Sequence, residues 1–176
     1  MARRIPSTLI ALSLLAPVAL AAQSAPNLTD PEVAHVAVTA NTIDIDPAKY
    51  AVAQAKNSDV VQFAATMIID HGAVNSQATA LATRLHVTPA DNAVSRSLLA
   101  GARTARTDLE KVHGPAFDKA YLDREIAYHQ AVLDAINNVL IPTTDNADLK
   151  ALLQQVAPAV AAHLAHAKAI RQSLGA

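Results

Sequence analysis

Four polar residues that could bind a metal interrupt otherwise apolar helical stripes. Asp44, His71, His129 and His163 each lie near the middle of a segment in which apolar residues recur at alternating steps of four and three. Such stripes face the core, and helix midpoints share one layer of a bundle whichever way the helices run. We therefore expect the four side chains to meet inside the fold. Three imidazoles and a carboxylate suit a single divalent transition metal such as zinc, iron, copper or manganese.

Three further residues are placed to orient those ligands. Asp70 precedes the first histidine, Glu125 lies one turn before the second, and His166 comes three residues after the third. A ligating imidazole usually donates its other ring nitrogen to a carboxylate or carbonyl. We therefore predict that Asp70, Glu125 and His166 support the layer. No glycine-rich phosphate loop or nucleophile elbow accompanies them, so no catalytic residue is assigned.

The same pattern has a second, structural interpretation. A buried polar group without a hydrogen-bond partner destabilises the folded state by about 1–3 kcal/mol. The layer residues must therefore bind a metal, bind water, or form hydrogen bonds with one another. A self-satisfied layer would fix the register of the helices, and the protein would then be a non-enzymatic envelope protein that acts through its surface. A metal-dependent oxidoreductase or hydrolase is a third possibility, which requires an open coordination position and a path to solvent.

The stripes lie on long helical segments separated by turn signals. We predict long helices over residues 30–56, 59–86, 116–140 and 147–174, with a local kink or a fresh start at Pro47, and a shorter helix over 93–112. Four long stripes predict an all-α four-helix bundle, and the shorter helix fits the long crossover of ferritin-like bundles. Aromatic residues make up only 3% of the chain, so the core must consist of Ala, Leu, Val and Ile.

Composition excludes several classes of function. The formal net charge is −1 and no basic stripe is interleaved with aromatic residues, so the chain has no electrostatic footprint for nucleic acid. The sequence contains no cysteine, which excludes disulfides, thiolate metal sites and cysteine nucleophiles. Nothing in the pattern identifies a protein partner or an oligomeric state.

The N-terminus has the pattern of a secretory signal peptide. Arg3 and Arg4 precede an apolar run over residues 9–22, and Ala19 and Ala21 form a small-x-small cleavage pattern. We predict a signal peptide over 1–22, a flexible leader over 23–29 and one helical domain over 30–174. The run is shorter than the roughly 20 apolar residues of a spanning helix, so we expect a mature protein without a transmembrane span, in the periplasm or outside the cell.

Several segments of the chain together resemble a known family. The segments are Val38-Thr39-Ala40-Asn41, Asp44-Ile45-Asp46, Phe63-Ala64 with Met67, Asp70-His71, Phe117-Asp118-Lys119-Ala120-Tyr121, Glu125 with Tyr128-His129, and Pro158 with His163-Leu164 and His166-Ala167. They resemble the DUF4142 family of exported bacterial proteins, often labelled putative outer-membrane proteins. The resemblance covers about residues 30–170 and implies a ferritin-like helical fold and export, but no particular reaction.

The sequence lacks the motif of di-iron carboxylate bundles. Those proteins carry a Glu on two helices and Glu-x-x-His on the other two. The positions three residues before the layer histidines are instead occupied by Ile68, Ile126 and Val160. A di-iron oxidase is therefore not expected, and a shared fold does not by itself confer function.

Overall fold

The computed structural model describes residues 27–175, and within this range the regular elements are all helical. The helices are α1 (Asp30–Gln54), α2 (Ser58–Arg84), α3 (Ala93–Leu109), α4 (Pro115–Ala135), α5 (Ile141–Thr143) and α6 (Ala147–Ser173), with a π-helical turn, Ile136–Leu140, joining α4 to α5. The predicted all-α class is confirmed. The predicted signal peptide, 1–22, and residues 23–26 of the predicted leader lie outside the described residues. No helix within 27–175 is both long and apolar enough to cross a membrane.

Helix starts follow from residues that satisfy free backbone N–H groups. The side chains of Asn57, Asn92 and Asn146 accept hydrogen bonds from the first turns of α2, α3 and α6. At the start of α1, Thr29 and Glu32 form a capping box, and a proline occupies the first turn.

Two prolines interrupt the chain less than the sequence predicts. Pro47 does not start a new helix, because α1 runs through it without a break and buries it. The predicted end at Leu140 is also wrong, because the helical backbone continues to Thr143. Pro142 lies in the first turn of α5, where its missing N–H has no intrahelical partner to lose.

Capping contacts define the direction of each long helix. Asp118, near the start of α4, accepts from the backbone N–H groups of Lys56 and Asn57, just before α2. Asp30, at the start of α1, accepts from the backbone N–H groups of Asp145 and Asn146, just before α6. Helices α2 and α4 therefore begin at one end of the bundle, and α1 and α6 at the other. The α2–α4 connection, with α3 packed mainly on α1, is a single crossover as in ferritin-like bundles; assignment to that fold group stays a prediction.

The apolar interior is divided into two cores of different composition. The first core surrounds the α2 and α4 starts and contains the rings of Phe63, Phe117 and Tyr121, with Tyr50 packed against it. The second core surrounds the α1 and α6 starts and consists of aliphatic residues such as Val33 and others without a ring. Since the chain has only two Phe, three Tyr and no Trp, nearly all of its aromatic volume lies in the first core.

Candidate metal centre

A polar layer between the two cores takes one residue from each long helix. Asp44 comes from α1, His71 from α2, His129 from α4 and His163 from α6. The three imidazole centroids lie 5.4–5.6 Å apart, and one ring nitrogen from each lies within 4.8 Å of the other two. Asp44 Oδ2 lies 3.1 Å from His71 Nε2. The structure thus brings together all four of the residues that the sequence places in one layer.

In each histidine, one ring nitrogen forms a hydrogen bond with a group other than the two neighbouring imidazoles. His71 Nδ1 donates to Asn41 Oδ1 at 2.6 Å, and the Asn41 amide nitrogen donates to the carbonyl of Ala37, which leaves its oxygen as the acceptor. His129 Nδ1 donates to the backbone carbonyl of Glu125 at 3.0 Å. His163 Nε2 donates to Asp70 Oδ2 at 2.9 Å. These bonds fix the tautomer and the ring orientation.

The remaining polar atoms of the layer have no hydrogen-bond partner. They are His71 Nε2, His129 Nε2, His163 Nδ1, Asp44 Oδ2 and Glu125 Oε2. The 3.1 Å approach of Asp44 to His71 is an electrostatic contact without the alignment of a hydrogen bond, since both atoms are without a partner. All five residues are at least nine-tenths buried. The arrangement is therefore a set of oriented donor atoms that converge but do not satisfy one another.

Glu125 lies in the layer itself, beside the Asp44 carboxylate. Its side chain is fully buried, and its Oε2 lies 3.5 Å from His129 Nδ1. Asp44, Glu125 and His129 form a second group with ligand atoms within 4.8 Å of one another. The sequence predicts only a supporting role for Glu125, whereas in the structure Glu125 is itself one of the residues that form the layer.

A largely buried arginine, Arg124, contacts both carboxyl groups, and the sequence pattern does not predict it. Arg124 Nη1 lies 3.3 Å from Asp44 Oδ1 and in closer contact with Glu125 Oε1, and the arginine side chain is 11% exposed. Its guanidinium also lies over the Tyr128 ring, 5.1 Å from the centroid. The Tyr128 hydroxyl donates to the carbonyl of Ala40 at 2.7 Å. The carboxylate side of the layer is therefore closed by a paired cation.

Burial sets the protonation of the layer. It lowers the pKa of His129 from 6.5 to about 4 and also lowers the pKa of His163, which the hydrogen bond from His163 to Asp70 partly offsets. Burial and the Asp44 charge raise the pKa of Glu125 well above 4.5. Burial opposes ionisation of Asp44, but contact with His71 and the nearby cationic groups hold its pKa below 3.8. At neutral pH the layer therefore presents neutral imidazoles at His129 and His163, one carboxylate and one arginine.

The predicted supporting residues divide into two groups. Asp70 holds His163, and its side chain is 46% exposed, so it marks the side of the layer nearest to solvent. His166, which the sequence predicts to support the layer, lies away from it. It is exposed, and its ring packs edge-on against Phe63 with centroids 5.5 Å apart. Residues three apart lie only about 60° apart around a helix axis, so the spacing does not exclude His166 from the layer; its exposure and its contact with Phe63 do.

Asn41 and Arg124 complete the centre, and the sequence contains a signal for only one of them. Asn41 lies three residues before Asp44 on the same helical face, so an amide next to a ligand stripe could have been identified. Arg124 precedes Glu125 directly, and a long cationic side chain at a stripe edge normally extends to solvent. Only the folded structure shows that it turns inward onto two carboxylates.

The comparisons with known proteins concern the family. No curated protein and no solved structure matches the chain. Residues 15–170 match the family described as "Domain of unknown function (DUF4142)", which covers nearly the whole sequence. The chain belongs to the DUF4142 family.

Proposed function

We propose that this protein is an exported helical-bundle protein that binds one divalent transition metal ion at the layer formed by Asp44, His71, His129 and His163. The observation that carries the proposal is the convergence of three partnerless imidazole nitrogens within a buried layer. Zinc, iron, copper and manganese are the ions that this donor set suits. Its role would be metal handling or protection against metal-linked stress.

The hydrogen-bond pattern favours a metal over a purely structural layer. In a self-satisfied layer, the inward-facing atoms would bond to one another, since each unsatisfied buried atom costs about 1–3 kcal/mol. Here Asn41, Asp70 and the Glu125 carbonyl take the other nitrogen of each ring, and the converging atoms are left without partners. This is how metal-ligating histidines are usually held.

Arg124 favours a single ion over a pair. Asp44, Glu125 and His129 could form part of a second cation site, but the guanidinium of Arg124 already contacts both carboxylates. A second divalent ion would have to displace this buried cation or lie against it. The histidine side of the layer contains no such competing charge among the described residues.

The test is elemental analysis of the protein purified without a histidine tag. We compare the wild type with His71→Ala/His163→Ala and with the control His113→Ala/His166→Ala, which removes two exposed histidines. We expect near-stoichiometric metal in the wild type and the control, and none in the layer variant. Added metal should raise the Tm of the first two proteins only, because binding stabilises the folded state.

An opposite result would support the structural interpretation. If the wild type contains no metal and its Tm does not respond to zinc, iron, copper or manganese, the metal proposal fails. The layer would then serve to hold the helices in register through the contacts of Arg124 with Asp44 and Glu125. The function of this envelope protein would in that case lie on its surface.

A further inference from the structure

The second core contains an internal chamber that the metal proposal does not use. Its volume is about 60 Å³. It extends along α1 from Asp30 to Asn41, which corresponds to about 16 Å at 1.5 Å per residue. At one end it reaches His71 and His129, so it terminates on the polar layer.

Small side chains leave this chamber open. Three of its residues on α1 are Ala34, Ala37 and Ala40, and α2 contributes Ala78. The other core is filled by the rings of aromatic residues, whereas this core contains only aliphatic side chains. The aromatic lining residue Tyr128 lies beside His129 at the inner end, so the alanine stripes leave a void along the rest of an interior that is normally close-packed.

The walls and the volume of the chamber define what it can hold. Away from its two ends the lining is aliphatic, including Val74, Leu153 and Val156, so water inside would find few polar partners. An apolar cavity of about 150 Å³ stays dry and admits benzene or xenon. At about 60 Å³, this chamber is too small for a benzene ring but has room for a non-polar molecule larger than water, which needs roughly 10–15 Å³.

We propose that the chamber binds a small non-polar gas molecule, of the class to which dioxygen belongs, beside the histidine layer. A molecule at its inner end would lie against the rings of His71 and His129, both of which leave Nε2 without a partner. The proposal goes beyond metal binding and does not require a bound ion. Under this proposal the second core binds a ligand in addition to packing the helices together.

Xenon is the probe for the test, and the metal-free protein is titrated with it under pressure and followed by NMR. We compare the wild type with Ala37→Leu, which fills the chamber, and with the control Ala53→Leu, which adds the same side chain at an exposed position of α1. We expect saturable xenon binding, with shifts of the Leu153 and Val156 methyls, in the wild type and the control. Binding should be lost in Ala37→Leu.

A second filled variant and a second gas extend the test. If Ala37→Leu does not fold, Val156→Phe fills the chamber from α6 and replaces it. Dissolved dioxygen, which is paramagnetic, should broaden the same methyl signals in the wild type and not in the filled variant. No xenon binding in the wild type, or equal binding in a folded filled variant, would overturn the proposal. The metal contents measured above do not enter either result, so the two proposals can fail separately.

Discussion

Replacement of His129 by leucine tests whether the layer is held neutral by burial. His129 is 1% exposed, and its pKa falls from 6.5 to about 4 because burial disfavours the charged ring. An unfolded chain binds a proton at this residue below about pH 6.5, whereas the folded protein does not until about pH 4. Between about pH 4 and about pH 6.5 the unfolded state binds more protons at His129 than the folded state does. The stability that His129 contributes is therefore present above about pH 6.5 and is lost as the pH falls toward about 4.

The size of the effect follows from the same two values. A tenfold change in proton affinity is worth about 1.4 kcal/mol, so the gap between 6.5 and about 4 corresponds to about 3 kcal/mol in full. Between about pH 7 and pH 4.5, the His129 contribution to the free energy of unfolding should fall by about 2 kcal/mol. His129→Leu removes this contribution, so the variant should lose about 2 kcal/mol less than the wild type over that interval.

The assay is urea unfolding of metal-free protein at both pH values, with chelator present. Glu125 acts in the opposite direction, because its raised pKa makes the folded state bind more protons and stability falls as the pH rises. Burial and Asp44 raise the pKa of Glu125 and Arg124 opposes them; both proteins retain these causes, so the main part of the Glu125 response is common to them. His113→Leu, at an exposed position, is the matched control. An identical pH response of the wild type and His129→Leu would refute the argument.

Two further substitutions test contacts at either side of the layer. Asp70→Asn should weaken metal affinity about tenfold, because Asp70 orients His163 and loss of such a partner of a metal ligand typically weakens affinity 10–100-fold. Competition with a chromogenic chelator measures the affinity. The control Asp59→Asn, at an exposed position, should leave the affinity unchanged. Asp118→Asn should destabilise the protein by about 2 kcal/mol, because the buried carboxylate accepts from two backbone N–H groups of the α1–α2 turn. Urea unfolding measures this beside the exposed Asp123→Asn, which should cost at most about 1 kcal/mol. A larger loss of stability in Asp123→Asn than in Asp118→Asn would show that the Asp118 contacts are unimportant.

The periodicity of the sequence predicts most of the fold for physical reasons. Heptad-like stripes specify which face of each helix is buried, and asparagine caps specify where helices begin. The errors concern proline, whose effect depends on surroundings that one sequence does not contain. Pro47 lies inside α1 and is buried there, whereas Pro142 lies in the first turn of α5.

The candidate site is predictable only in part. The four layer residues share helix midpoints, and midpoints meet in any bundle of helices of similar length. Glu125 and Arg124 depend instead on rotamers and ion pairing, which periodicity does not describe. Spacing along a chain gives a residue's approximate angle on its helix but not its burial, as the exposed His166 shows, and the partners of a buried charge depend on the neighbouring helices.

Apart from the side packed on the first core, the three sides of the layer differ in a way that bears on how it could work. The side formed by Asp44 and Glu125 is closed by Arg124, so a cation approaching there meets a positive charge. The side facing the second core opens on an aliphatic chamber, which a hydrated ion would enter only by losing its water. The remaining side carries Asp70, whose carboxylate is 46% exposed and bonded to His163. If the layer binds an ion, the approach past Asp70 to His163 is the favourable one of these three; if the chamber binds a non-polar molecule, that molecule approaches along the chamber.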